Sequence, residues 1–118
     1  MAAWGGISSL QFSLSATWTS ASGRGFELPD VSRWMSRAPA GLAGLSARKG
    51  AIAPGMDADL AIFDADAAYT VTAESVLHRH PLTPYLGMEL KGVVLETYLR
   101  GHKVYDHGSF VRPLGELL

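Results

Sequence analysis

The chain has 118 residues, with ten Lys and Arg against eleven Asp and Glu and a formal net charge of −1. Its apolar content of 47% is enough to build a core, which excludes wholesale disorder, and its neutrality argues against a nucleic-acid partner. The absence of cysteine excludes disulfides, Cys-ligated zinc and a thiol nucleophile, no apolar run reaches the roughly 18 residues of a membrane span, and 118 residues are too few for a complete (β/α)8 barrel, which takes about 250.

Met1 to Gly6 has neither the basic nor the apolar region of a signal peptide. Leu10, Leu14, Trp18 and Ala21 recur at helical spacing, so a helix is expected over 10–21, stopped by Gly23-Arg24-Gly25. Ser8 or Ser9 is the expected cap at its start. A second helix is expected over 28–36, with Pro29 in its first turn and Val31, Trp34 and Met35 on its apolar side. Pro39 is expected to open a third, short helix over 39–45.

Near residue 50 the composition shifts from Ser, Ala, Leu and Trp to Asp, Val, Thr and Tyr, and the apolar period becomes two. Short strands are expected at Leu60–Phe63 and around Tyr69–Val71. A hairpin is expected from Val93–Leu99 through Arg100-Gly101 to His102–Tyr105, because a two-residue turn needs the positive φ that Gly101 supplies. Leu60, Ile62, Val93, Leu95 and Val104 are expected to be buried in one small sheet, and 78–90, with Pro81 and Pro84, reads as a loop.

Three groups of residues bear on chemistry. His78-Arg79-His80 has the spacing of a metal-gripping pair, but it sits in a loop before Pro81 with no acidic neighbours in sequence, so a hydrogen-bonded loop pair is the plainer reading. Asp57, Asp59, Asp64 and Asp66 are split by the apolar run Leu60–Phe63, so they read as carboxylates that terminate a strand, rather than as a cation loop. Gly5-Gly6-Ile7 precedes the first helix, where glycines allow a ligand to approach the backbone and the helix start offers free N–H groups; an ordinary serine cap explains the same residues. No GxSxG elbow supports a serine hydrolase.

Several motifs belong together. Pro39-Ala40-Gly41-Leu42-Ala43-Gly44-Leu45, followed by Lys49-Gly50-Ala51-Ile52-Ala53-Pro54-Gly55-Met56-Asp57-Ala58-Asp59-Leu60, resembles the C-terminal hallmark of the amidohydrolase superfamily, where the last barrel helix exits into a small β-sandwich. Ala3-Trp4-Gly5-Gly6-Ile7-Ser8-Ser9-Leu10-Gln11, Trp18-Thr19, His78-Arg79-His80-Pro81-Leu82-Thr83-Pro84-Tyr85-Leu86-Gly87 and Arg100-Gly101-His102-Lys103-Val104-Tyr105 resemble the allantoinases, with hydantoinases and dihydropyrimidinases as nearest competitors. The resemblance covers residues 3–106 and identifies the chain with the C-terminal part of such an enzyme.

The resemblance implies an α/β parent of TIM-barrel type, with 1–48 as the helical end of the barrel and 49–118 as part of a β-sandwich tail. It implies that the parent holds two divalent ions, expected to be zinc, which generate a hydroxide and open a cyclic amide such as allantoin to the ureido acid allantoate in purine catabolism. The HxH pair, carboxylated lysine, further histidines and aspartate of the family would all lie upstream, so no catalytic and no metal-ligating residue, and no bound cofactor, is expected here. His78-Arg79-His80 is not that HxH, and Lys49, Lys91 and Lys103 do not occupy the bridging position. Only Gly5, Gly6 and Ile7 carry over, as backbone contacts to the substrate ring. The parent is expected to be a cytoplasmic homo-oligomer with a small-molecule substrate and neither nucleic-acid nor membrane partners. The competing readings are a non-enzymatic tail module that assembles with a separate barrel chain, and a truncated product without function.

Overall fold

The computed structural model describes residues 9–79 and 82–111. Leu10–Phe12 forms a 3-10 turn that runs directly into helix α1, Ser13–Ser22. Ser9 holds the cap position, but its side chain makes no capping hydrogen bond. Helix α1 ends where the Phe26 N–H donates back to the Ala21 carbonyl at 3.1 Å, with Gly25 in the left-handed region at φ +79°. Helix α2, Leu28–Ser32, opens with Pro29 and a reciprocal cap between Glu27 and Asp30. A π turn, Arg33–Arg37, joins it to helix α3, Ala38–Leu42, so the expected second and third helices form one winding helical stretch. Among the described residues no helix is long and apolar enough to cross a membrane.

Of the apolar face expected for the first helix, Ala21 is buried and Leu14 and Trp18 are half-buried. Leu10 is 94% exposed, whereas Phe12 is buried. The 3-10 turn advances about 120° per residue rather than 100°, so the phase read from an unbroken α-helix slips. Phe12 and Ala16 pack in the core, and Ser15, Trp18 and Thr19 meet Gly92, Ala65 and Lys91 of the sheet.

Among the described residues four antiparallel strands follow in a meander: β1 Leu60–Thr70, β2 Glu89–Leu99, β3 His102–Asp106 and β4 Ser109–Phe110. The two short strands expected in 60–71 are one strand of 11 residues. Its register against β2 slips between Asp64 and Ala68, where Asp64 Oδ1 accepts the N–H groups of Asp66 and Ala67. That Asx turn absorbs a local break that sequence alone reads as a strand end. Arg100 and Gly101 take φ of +48° and +81° between paired Leu99 and His102, which is the expected two-residue hairpin turn. His107 and Gly108 repeat the arrangement at +44° and +90° and add β4, which the strand pattern did not reveal. Gly50 and Gly55, in the segment that leads into β1, both have positive φ.

The core is Phe12, Val71 and Leu90, with Ala16, Tyr69, Val76 and Tyr85 packed against it. The expected β core is therefore also corrected. Leu60, Val93, Leu95 and Val104 are only half-buried and Ile62 is 45% exposed, although all five lie in the one sheet. The reason is the missing second layer. The expected β-sandwich is, among the described residues, a single sheet, and alternation buries a face only when something covers it.

Candidate functional site

Strand β2 is the organising element. Its Gly92 lies beneath α1, where Ser15 Oγ donates to the Gly92 carbonyl at 2.7 Å and the Lys91 N–H donates to Thr19 Oγ1 at 2.8 Å. Trp18 Nε1 donates to the Ala65 carbonyl at 2.9 Å. Gln11 grips the next loop with both ends of its amide, donating to the Ser75 carbonyl and accepting the Leu77 N–H. Helix and sheet are thus joined by hydroxyl, indole and amide groups that satisfy backbone positions outside regular pairing.

The sheet carries two different features beyond that joint. Alternation sends Glu96 and Tyr98 to one side of β2 and Thr97 and Leu99 to the other. On the first side, Lys103 Nζ lies 2.9 Å from Glu96 Oε1 and 3.2 Å from Asp106 Oδ2. The Tyr98 hydroxyl donates to Glu96 Oε2 at 2.6 Å, and His107 Nδ1 lies 2.7 Å from Asp106 Oδ1. The Tyr98 hydroxyl, then Lys103, holds the Glu96 carboxyl below its ordinary value; His107, then Lys103, does the same for Asp106. Glu96 and Asp106 in turn raise Lys103, and Glu96 raises Tyr98.

Glu96, Asp106 and His107 are the described residues that come near a metal-ligand grouping, with one donor atom each within 4.8 Å of the others. The Lys103 ammonium already sits between the two carboxylates. This donor set does not fit a pair of divalent ions, because its charge is met by a protein cation.

On the other side an apolar trough of about 810 Å³ opens across the sheet, floored by Val93, Thr97, Leu99 and Val104 and edged by Tyr105 and Phe110. Among the described residues that line it, none is charged.

The sequence candidates fall as follows. Gly5, Gly6 and Ile7 lie outside the described residues, as do His80 and Pro81. His78 packs edge-on against the Phe12 ring, and its Nε2 lies 3.5 Å from the Leu82 carbonyl. Asp57 pairs with Arg48 and Lys49, each at 3.1 Å. Asp59 pairs with Lys49 and also accepts the Arg100 N–H at 2.8 Å, which ties the first hairpin turn to the segment before β1. Lys49 lowers both carboxyls, the Arg100 N–H adding to the effect at Asp59, and they raise Lys49 in return. Asp57 and Asp59 do precede a strand, but Asp64 and Asp66 lie within it, so the reading of all four as strand terminators is corrected for that pair. The Glu96–Lys103–Asp106 cluster escaped the sequence reading, because its members meet only through the pairing of β2 with β3.

These features place the chain among known proteins. Residues 15–105 match the model of the amidohydrolase family. The allantoinase of Streptomyces avermitilis is 51% identical over 98% of this chain and 26% of its own length. The allantoinase of Saccharomyces cerevisiae is 41% identical over 98% of this chain and 25% of its own. Among solved structures, the L-hydantoinase (dihydropyrimidinase) of Arthrobacter aurescens superposes with a TM-score of 0.85 at 32% identity, covering 93% of this chain and 25% of that one. The chain thus spans about a quarter of the relatives it matches. Joined to a helix-on-sheet arrangement shared with a solved hydantoinase, the family match over most of the chain means that this protein belongs to the amidohydrolase family.

Proposed function

We propose that the chain is the C-terminal portion of an allantoinase, an enzyme that hydrolyses the hydantoin ring of allantoin to allantoate in purine catabolism. The carrying observation is the 51% identity to the Streptomyces avermitilis allantoinase across 98% of this chain. In this reading residues 1–48 end the catalytic barrel and 49–118 belong to the appended β domain. The backbone of Gly5, Gly6 and Ile7 passes the substrate ring. Two divalent ions, zinc by expectation, are held upstream by ligands that this segment does not supply. The parent is a cytoplasmic homo-oligomer, and the segment alone is inactive.

The part played by the described residues is positional. Ser15, Trp18 and Thr19 lock α1 to β1 and β2. No step of the hydrolysis is assigned to a described side chain.

A chimera tests the reading: the Streptomyces avermitilis allantoinase with its matching quarter replaced by this chain. Allantoin turnover within about tenfold of the parent is expected, a change of about 1.4 kcal/mol in barrier. A folded, metal-loaded chimera without turnover would overturn it. The Arthrobacter aurescens likeness supports the second reading, a hydantoinase or dihydropyrimidinase segment. Preferential turnover of dihydrouracil or a 5-substituted hydantoin by the same chimera would favour that one.

A further inference from the structure

Helix α1 has a second polar face. Ser15, Trp18 and Thr19 hold the sheet. Thr17 and Ser20, three residues apart, share the opposite face, and Arg24 continues that line just past the end of the helix. These three line a hollow of about 390 Å³ that Phe26, Trp34 and Tyr85 help to complete. Phe26 is brought back to the helix past Gly25, where its N–H reaches the Ala21 carbonyl at 3.1 Å. It meets Trp34 edge-on, with ring centroids 5.0 Å apart and planes at 76°. An edge-on pair leaves ring faces free that a stacked pair would cover, and Phe26 and Trp34 remain 44% and 38% exposed.

Hydrogen bonding sets this face apart. Among the other hydroxyl residues of α1, Ser13, Ser15, Thr19 and Ser22 each donate to a backbone carbonyl. The Thr17 and Ser20 hydroxyls, in the hollow, have no partner among the described residues, and neither has the Arg24 guanidinium. Among the described residues no carboxylate lines the hollow, so the charge of Arg24 is not met there by the protein. A small-molecule pocket has this make-up: a volume of about 300–1,000 Å³, aromatic walls and a few convergent polar groups. The guanidinium fork matches a carboxylate at two points, and the free ring faces accept a planar ring. We propose that this hollow is a binding site for a small aromatic carboxylate. Its ring lies against Phe26 and Trp34, and its carboxylate sits on Arg24 and accepts from Thr17 and Ser20. The site is separate from the chemistry of the previous section and does not depend on the substrate being allantoin.

Titration of the purified chain with sodium benzoate tests it, read by NMR at the Trp34 indole N–H and the Arg24 Nε–H. A saturable shift is expected, with half-saturation at about 1 mM or below. Arg24→Gln, at an exposed residue without a partner, is expected to leave the fold unchanged and to weaken binding at least about tenfold. Lys91→Gln, at an exposed residue of β2 outside the hollow, leaves binding unchanged. Cyclohexanecarboxylate keeps the charge without the planar ring, and benzyl alcohol keeps the ring without the charge. Both are expected to bind at least about tenfold more weakly than benzoate. No saturable shift, or benzoate binding that survives Arg24→Gln, overturns the proposal. Cyclohexanecarboxylate binding as tightly as benzoate overturns the assignment of an aromatic ligand.

The titration is repeated by calorimetry in the full chimera described above, where the fold is complete. Benzoate binding with the same dependence on Arg24 is expected there, and a folded chimera that does not bind benzoate overturns the proposal whatever the isolated chain does. A chimera that binds benzoate without turning over allantoin supports the site and counts against the allantoinase reading. Turnover of allantoin by a chimera that does not bind benzoate does the reverse.

Discussion

Gly92 passes so close under the Phe63 ring that a β-carbon at Gly92 would fall 2.1 Å from Phe63 Cζ and 2.8 Å from Trp18 Cδ1. Gly92 also has φ of +91°. The absence of a side chain at this point lets helix α1, strand β1 and strand β2 meet at one place. Gly92→Ala is therefore expected to destabilise the fold by about 1–3 kcal/mol through overpacking, with about 1–2 kcal/mol more from the backbone conformation. Urea denaturation of the variant measures it. Phe63→Leu in the same background should recover part of the loss.

Ser15 is buried, and its hydroxyl supplies a partner for the Gly92 carbonyl. Ser15→Ala leaves that carbonyl without its donor, a loss of about 1–3 kcal/mol. Ser20, exposed on the same helix, serves as control, and Ser20→Ala should leave the thermal midpoint unchanged.

The ion pairs set the pH window. Asp57, Asp59, Glu96 and Asp106 are held below ordinary values of 3.8 for Asp and 4.5 for Glu. Their contribution is present above those values and is lost as pH falls through the lowered ones. Lys49 and Lys103 are raised from 10.5, and Tyr98 from 10.0. Their contribution is present below those values and is lost as pH rises through the raised ones. Stability should thus be flat between about pH 5 and 10 and fall on both sides. In Lys103→Met the alkaline fall should shrink, and the Glu96 and Asp106 carboxyls should titrate closer to their ordinary values by NMR.

Leu10 and Leu42 are more than nine-tenths exposed, at 94% and 93%, and Trp34 is 38% exposed. Each large apolar side chain left wet forgoes roughly 1.5–3 kcal/mol. The isolated chain should therefore self-associate as its concentration rises, and sedimentation velocity would show it. Leu10→Ser with Leu42→Ser should move the distribution towards monomer. A monomer at high concentration with uniformly strong amide protection across 10–45 would contradict both this expectation and the fragment reading.

Some of this architecture is written in short stretches of sequence. The turn at Arg100-Gly101 is legible because two adjacent residues must take positive φ, and glycine meets that demand locally. Pro29 and the Gly23-Arg24-Gly25 stop are legible for the same reason, since each acts within one turn of helix. The superfamily signature across 39–60 was equally local, a string of turns and small residues leading into an apolar strand. The break in β1 was misread because Asp64-Ala65-Asp66 looks like an ending. Only the pairing of Leu60–Phe63 and of Ala68–Thr70 with the same strand β2 shows that it is a bulge.

By itself, then, the sequence determined the helices, the first hairpin and the family, all of which depend on residues adjacent in the chain. The tertiary structure decided which residue at the start of the first helix is buried, because a 3-10 turn shifted the phase and put Phe12, not Leu10, in the core. It also brought Lys103 between Glu96 and Asp106, since that meeting depends on strand register and on the bulges that change it. Burial of Val93, Leu95 and Val104 belongs to neither, because alternation marks a face as apolar and only a covering layer removes it from water.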